Sequence, residues 1–278
     1  MAISNFKIRT IITVIGIPAL GLMTLFTTLT FAVFFTLVGL LILHEIYRTI
    51  GMQEVTANQW LSYLVYLVLV ILQYHGLDSL TSTVIVLGAM TAMSWEMFRK
   101  KRRVFENSAT TLFAAAFIGL SMGFLLQLQQ LQVPVATIWD AGFGSWAVLA
   151  IFAGVWVCDI LAYLIGSAWG RHKIFPRVSP KKSWEGSLAG LLGAIGIQIL
   201  FCCMTWLPGL SLVDAVILGL ITGGLGQVGD FAESLIKRDV AIKDSSDLIP
   251  GHGGVWDRMD SLLFAVPAGY LYILYFVI

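Results

Sequence analysis

Residues 143–168 read FGSWAVLAIFAGVWVCDILAYLIGSA, and the only charge in the run is Asp159. A bilayer core roughly 30 Å thick is crossed by about 20 apolar residues in a helix. This run is long enough, and the rest of the chain has the same character. Of 278 residues, 58% are hydrophobic and 12% are charged. Soluble domains carry roughly 25% charged residues. A soluble core cannot hide so much apolar surface, so lipid is the solvent for most of it. The fold class that follows is all-α, a polytopic integral membrane protein. Cys158, Cys202 and Cys203 lie in apolar stretches with no spacing for a disulfide framework or a zinc site, and read as packing residues.

Outward from this run, the segments between charges and turn residues give nine spans. They lie near 10–27, 29–47, 59–76, 79–97, 108–127, 143–168, 185–206, 213–235 and 260–278. The first follows Lys7 and Arg9 but lacks a small-residue cleavage site, so it reads as an uncleaved helix containing Pro18. A short Thr-rich turn separates it from the second. One long tilted helix, with eight spans in all, is the competing count. The charges favour nine. With the N-terminus in the cytoplasm and the C-terminus outside, segments 1–9, 48–58, 98–107, 169–184 and 236–259, edges included, hold all 17 Lys and Arg. The loops near 28, 77–78, 128–142 and 207–212 hold none, which is the positive-inside pattern. The run Arg99-Lys100-Lys101-Arg102-Arg103 reads as a topology anchor against anionic headgroups. The outside loop 128–142 divides an N-terminal region (1–127, about five spans) from a C-terminal region (143–278, about four spans).

An ionisable residue inside a span costs roughly 2.5–3.5 kcal/mol, so each one needs a reason. Glu45 and Glu96 sit at cytoplasmic helix ends and read as interfacial carboxylates paired with Arg48 and Arg99. Asp159 lies deeper, with Tyr163 one turn on and on the same face. The densest polar stretch is 226–260. On a helix, Asp230, Glu233, Ser234 and Lys237 share a face at i, i+3, i+4 and i+7, and Asp257 and Asp260 stand at i, i+3 where the last span begins. Two helix ends bearing acids can converge on a cation, and oxygen ligands without Cys or His pairs suit a hard ion such as Mg²⁺. The intervening loop supplies Arg238, Lys243 and Asp244, with Gly251, His252, Gly253 and Gly254. Glycines let backbone N–H groups approach phosphates, and cations neutralise them. Acids for a metal beside bases for phosphates is the layout of phosphoryl and nucleotidyl transfer. A solvated loop with balancing ion pairs is the plainer reading.

A second basic loop, Arg171 to Gly186, precedes the seventh span. Ser183 reads as an N-cap and Glu185 suits the first turn. A helix N-terminus beside Lys181 and Lys182 is a ready anion site. Gly186 with Gly190, and Gly219 with Gly223, are small-residue pairs that read as close helix packing.

Ser234 to Asp260 fills every fixed position of the pattern Ser-x-apolar-Lys-Arg-x4-Lys-Asp-x-small-x2-apolar-Pro-x-His-Gly-Gly-apolar-x-Asp-Arg-apolar-Asp. In this the chain resembles the phosphatidate cytidylyltransferase (CDP-diglyceride synthetase) family. Ser179-Pro180-Lys181-Lys182-Ser183-Trp184-Glu185-Gly186 and the Asp159 segment resemble it too; the N-terminal half matches only as a set of spans. The resemblance implies a homodimeric membrane enzyme that needs a divalent cation, with room for a second. It would condense CTP with phosphatidic acid, among membrane lipids and with no nucleic-acid partner, releasing pyrophosphate. It also implies roles. Asp230, Asp257 and Asp260 would hold Mg²⁺. Lys181, Lys182, Ser183, Lys237, Arg238, Lys243, Arg258, Gly253 and Gly254 would meet phosphates, and His252 would orient a phosphate or a metal-bound water. Asp159, Asp244, Glu233 and Ser234 would support them, Asp159 and Asp244 completing the acid cluster or positioning a lysine. The expected setting is a bacterial plasma membrane with the site facing the cytoplasm. Two rivals stand beside this reading: a CTP-dependent enzyme of the same scaffold acting on another lipid phosphate, and a secondary transporter with buried acids.

Overall fold

The computed structural model describes residues 18–25, 28–133, 142–246, 248 and 253–278. Among the described residues the chain is helical, without a strand, and a single antiparallel bridge joins Lys173 to Ser183. The helices are α1 (Thr28–Gly51), α2 (Gln59–Tyr74), α3 (Thr81–Phe98), α4 (Val104–Gln130), α5 (Phe143–Trp169), α6 (Trp184–Cys203), α7 (Leu212–Asp239) and α8 (Trp256–Val277). Six of them (α1, α4, α5, α6, α7 and α8) are long and apolar enough to cross a membrane, so the protein is a polytopic membrane protein. The 16 residues of α2 reach about 24 Å at 1.5 Å each, short of a full bilayer core. The 18-residue α3 is not among the six either. Most of the expected first span lies outside the described residues, although 18–25 are helical. Residues 134–141 of the expected dividing loop, and Gly251 and His252, also lie outside them.

The helix starts have local causes. Asn58 accepts a hydrogen bond from the Leu61 N–H at 3.1 Å and opens α2. Ser183 does the same for α6 through the Gly186 N–H at 3.3 Å, as its position predicts. Ser211 and Asp214 form a reciprocal capping box at the start of α7. α7 is one element, with a wider π-type turn over Ile221–Leu225 between its two halves.

One core runs through both halves of the chain. Phe31 packs on Phe35 within α1, and Phe35 on Phe152 of α5, which meets Trp156 edge-on. Phe117 of α4 meets Phe264 of α8 edge-on, Phe124 stacks on Tyr270, and the Ser121 hydroxyl donates to the Leu263 carbonyl at 3.0 Å. On the other side, α5 lies along α6, and α6 along α7. The glycine pairs explain how closely. A Cβ at Gly186 would meet the Ala162 carbonyl at 2.6 Å, and one at Gly190 the Cys158 carbonyl at 2.6 Å. A Cβ at Gly219 would fall 2.4 Å from the Ile195 Cα. These are the close helix contacts that the pairs predict.

Candidate active site

Three regions of the chain converge on one cavity of about 740 Å³. The second half of α5 contributes Asp159 and Tyr163. The loop before α6 contributes Lys173, Lys181, Lys182 and Ser183. The end of α7, the loop after it and the start of α8 contribute Asp230, Glu233, Ser234, Lys237, Arg238, Lys243, Asp244, Asp257, Arg258 and Asp260. The face expected at i, i+3, i+4 and i+7 on α7 therefore looks into a single space, and Asp159 and Tyr163 share it.

The approach of α7 to α8 is set by Gly229. A Cβ there would fall 2.5 Å from the Asp260 carbonyl oxygen, so any larger residue pushes the helices apart. With hydrogen at that position, the carboxylates of Asp230, Glu233 and Asp260 come together, with one oxygen of each within 4.8 Å of the others. Lys182 reaches across from the α6 loop, pairs with Asp230 and lies 4.2 Å from the centroid of the Phe231 ring. The Ser234 hydroxyl also points to Asp230, at 3.4 Å.

Lys237 is nearly buried between two acids. Its ammonium donates to Glu233 Oε2 at 2.8 Å and to Asp257 Oδ1. Asp257 Oδ2 accepts from the Gly254 N–H at 2.7 Å and the Ser245 N–H at 3.0 Å. Both oxygens of Asp257 are thus engaged. The acids that cluster are Asp230, Glu233 and Asp260, where the sequence pattern points to Asp230, Asp257 and Asp260. The difference has a physical cause: the loop wraps its N–H groups onto Asp257, and Glu233 is left facing the other two. Glu233 Oε1 is buried and accepts no hydrogen bond. Three carboxylates with a buried, unserved oxygen fit a hard divalent cation.

Other expected residues also make scaffold contacts. Arg238 lines the cavity, but its guanidinium donates to the backbone carbonyls of Val178 at 3.2 Å and Ile242 at 2.8 Å. Gly254 gives its N–H to Asp257, and neither it nor Gly253 lines the cavity. Glu96 pairs with Arg99 at 2.7 Å as expected, though it is buried and also accepts from Asn107. Glu45 departs from expectation. It makes no salt bridge to Arg48 among the described residues and instead binds the start of α8. Residues the sequence reading did not single out include Ser187, Gln227 and Ser261, all on the cavity wall. The Gln227 amide donates to the carbonyls of Gly223 at 2.8 Å and Ser187 at 3.1 Å, bracing α7 against α6.

The model of the cytidylyltransferase family matches residues 7–276. Over 276 residues the chain is 32% identical to a phosphatidate cytidylyltransferase of Brucella abortus, covering 97% of this chain and 93% of that one. It is 27% identical to one of Staphylococcus aureus over 94% of this chain and 96% of the relative. A Haemophilus influenzae phosphatidate cytidylyltransferase is 42% identical over 142 residues, half of this chain and 49% of its own length.

Proposed function

This chain belongs to the cytidylyltransferase family, and we propose that it condenses CTP with phosphatidic acid to give CDP-diacylglycerol and pyrophosphate. The observation that carries the reading is a single cavity where a tight carboxylate trio faces lysines from two separate loops. The full-length relatives named phosphatidate cytidylyltransferase support it. Family membership sets the transporter reading aside.

The reaction joins an oxygen of the lipid phosphate to the α-phosphorus of CTP and breaks the bond from that phosphorus to the β-phosphate oxygen. Pyrophosphate leaves with the bonding electrons. Little covalent chemistry is asked of the protein; the barrier is lowered by in-line placement and charge stabilisation. Bringing a lipid phosphate onto a triphosphate crowds negative charge. Lys181 and Lys182, at the capped start of α6, and Lys243 and Arg258 on the opposite wall supply positive charge for it. Lys237, pinned between Glu233 and Asp257, orients the acids. Asp230, Glu233 and Asp260 would hold a divalent cation, Mg²⁺ in this reading, which would supply positive charge to the phosphates. Asp159 and Asp244 line the same cavity.

The reading extends to topology. Nine spans with the N-terminus and the cavity on the cytoplasmic side are supported by the one-sided distribution of all 17 Lys and Arg, and a bacterial plasma membrane by the bacterial relatives. A homodimer belongs to the same proposal. The test is turnover of CTP labelled at the α-phosphate by detergent-purified protein with phosphatidic acid and Mg²⁺. A CMP-bearing lipid formed in equal amount to pyrophosphate, and abolished by EDTA, is the expected result. Competition among lipid phosphates then reads the acceptor: faster turnover of a different one would move the assignment to that lipid, and no labelled lipid from folded protein would overturn it.

A further inference from the structure

Helix α8 begins at Trp256, and Val255 at its N-cap has no side chain able to cap it. The first N–H groups of a helix need partners, and an apolar cap leaves them unserved. Here the partner comes from another part of the chain. Glu45 in α1, 211 residues away in sequence, accepts from the Trp256 N–H at 2.8 Å through Oε2 and from the Val255 N–H at 3.0 Å through Oε1. The Ser246 hydroxyl donates to Oε1 at 2.5 Å. The Ser245 hydroxyl stands 3.0 Å from both Glu45 Oε2 and Asp257 Oδ2, and its single proton serves one of them at a time. Glu45 is 2% exposed.

The same contact accounts for Gly254. A Cβ at that position would fall 1.9 Å from Ser245 Oγ and 2.6 Å from Glu45 Oε2, so the carboxylate and the hydroxyl fill the place of a side chain. One carboxylate thus holds both sides of the loop, 245–246 and 254–256. Those segments supply the N–H groups that grip Asp257, and Asp257 grips Lys237.

We infer that Glu45 is a positioning residue for the transfer: it clamps the catalytic loop and the start of α8 to the N-terminal helices and so fixes Asp257 and Lys237 in place. It touches no substrate-facing atom and does not line the cavity. Its loss misplaces the machinery without removing a binding group. The consequence is a fall in kcat with little change in the KM for CTP, because misplacement near 1 Å costs up to roughly a hundredfold in rate.

The inference rests on the proposed reaction, and its test separates the two. Glu45→Gln keeps shape and volume but puts an NH₂ against donors. Ser246→Ala is milder, removing one donor. Glu96→Gln disturbs another buried N-terminal acid that does not touch the loop. Each is purified and checked for folding by its melting temperature in detergent, then measured for CMP transfer and for backbone hydrogen exchange over 253–258 without nucleotide. Glu45→Gln is expected to lose at least about tenfold in kcat, with the KM for CTP within about threefold of wild type. It is also expected to exchange faster in that segment, while Glu96→Gln stays within about twofold of wild type in both readouts. Wild-type kcat or unchanged exchange in Glu45→Gln would overturn the inference, as would an equal loss in Glu96→Gln. If Glu45→Gln does not fold, Ser246→Ala decides: faster exchange and a lower kcat support the clamp, and wild-type behaviour in both refutes it. If wild-type protein does not turn over phosphatidic acid, the proposed reaction fails, and the exchange data alone still report whether Glu45 holds the loop.

Discussion

Lys237 shows how tightly charge is balanced in this cavity. Its ammonium is nearly buried and bonded to Glu233 and Asp257, each also nearly buried. Removing one partner of such a group leaves the others desolvated and uncompensated, at a cost of roughly 3–5 kcal/mol. Lys237→Met is therefore expected to lower the melting temperature markedly as well as activity, and thermal unfolding of the detergent-purified variant checks it. Lys237→Arg should not rescue, because the larger planar fork does not fit the small volume that a point charge fills between the two acids. A Lys237→Met protein that melts like wild type would mean the triad is not closed as described. At this scale the sequence was informative wherever partners sit within one or two helical turns. Asp230, Glu233, Ser234 and Lys237 were legible as one face, and Ser183 as a cap, because helical geometry alone dictates those neighbours. The role of Glu45 was not. Its partners are more than 200 residues away, and no local spacing encodes them; Arg48 one turn on made a nearer but incorrect match. That Glu233, and not Asp257, joins Asp230 and Asp260 in the carboxylate cluster was hidden for a related reason, since it depends on how a loop folds its N–H groups onto Asp257.

Among the elements, α7 does the most to build the site. Its first half packs on α6 through Gly219 and Gly223, a π-type turn follows, and its second half meets α8 at Gly229. A methyl group at Gly229 has no room beside the Asp260 carbonyl, 2.5 Å away, so the helices must separate. Gly229→Ala is expected to cost about 1–3 kcal/mol by overpacking and to depress CMP transfer at least about tenfold by widening the acid trio. Gly224→Ala on the same helix meets nothing within 4 Å and should behave nearly as wild type. Comparing melting temperature and turnover for the two variants tests whether the α7–α8 approach, and not α7 in general, sets the site. The glycine pairs were legible as packing devices, but the π-type turn was not, because Ile-Thr-Gly-Gly-Leu reads as ordinary helix with tolerated glycines.

Over the whole molecule, charge asymmetry, apolar helices and one shared core describe a membrane enzyme whose polar chemistry gathers at one end. The composition made the membrane class legible, since no soluble core hides a chain that is 58% hydrophobic. Span count was harder, because the apolar run near 59–76 forms only the 16-residue α2, whose length alone does not mark it as a crossing. The proposed orientation predicts that, in a cysteine-free background, Lys101→Cys and Ser179→Cys react with an impermeant thiol reagent only from the cytoplasmic face, and Leu77→Cys only from the other. The central claim is that Asp230, Glu233 and Asp260 hold the cation on which CMP transfer depends, with Asp257 holding the loop beside them. Its most direct test is a Mg²⁺ titration of CMP transfer to phosphatidic acid by wild type, Glu233→Gln and Asp257→Asn. The account predicts that Glu233→Gln raises the Mg²⁺ needed for half-maximal rate by at least about tenfold, while Asp257→Asn lowers kcat with the half-maximal Mg²⁺ within about twofold of wild type. A large shift for Asp257→Asn with none for Glu233→Gln would contradict it.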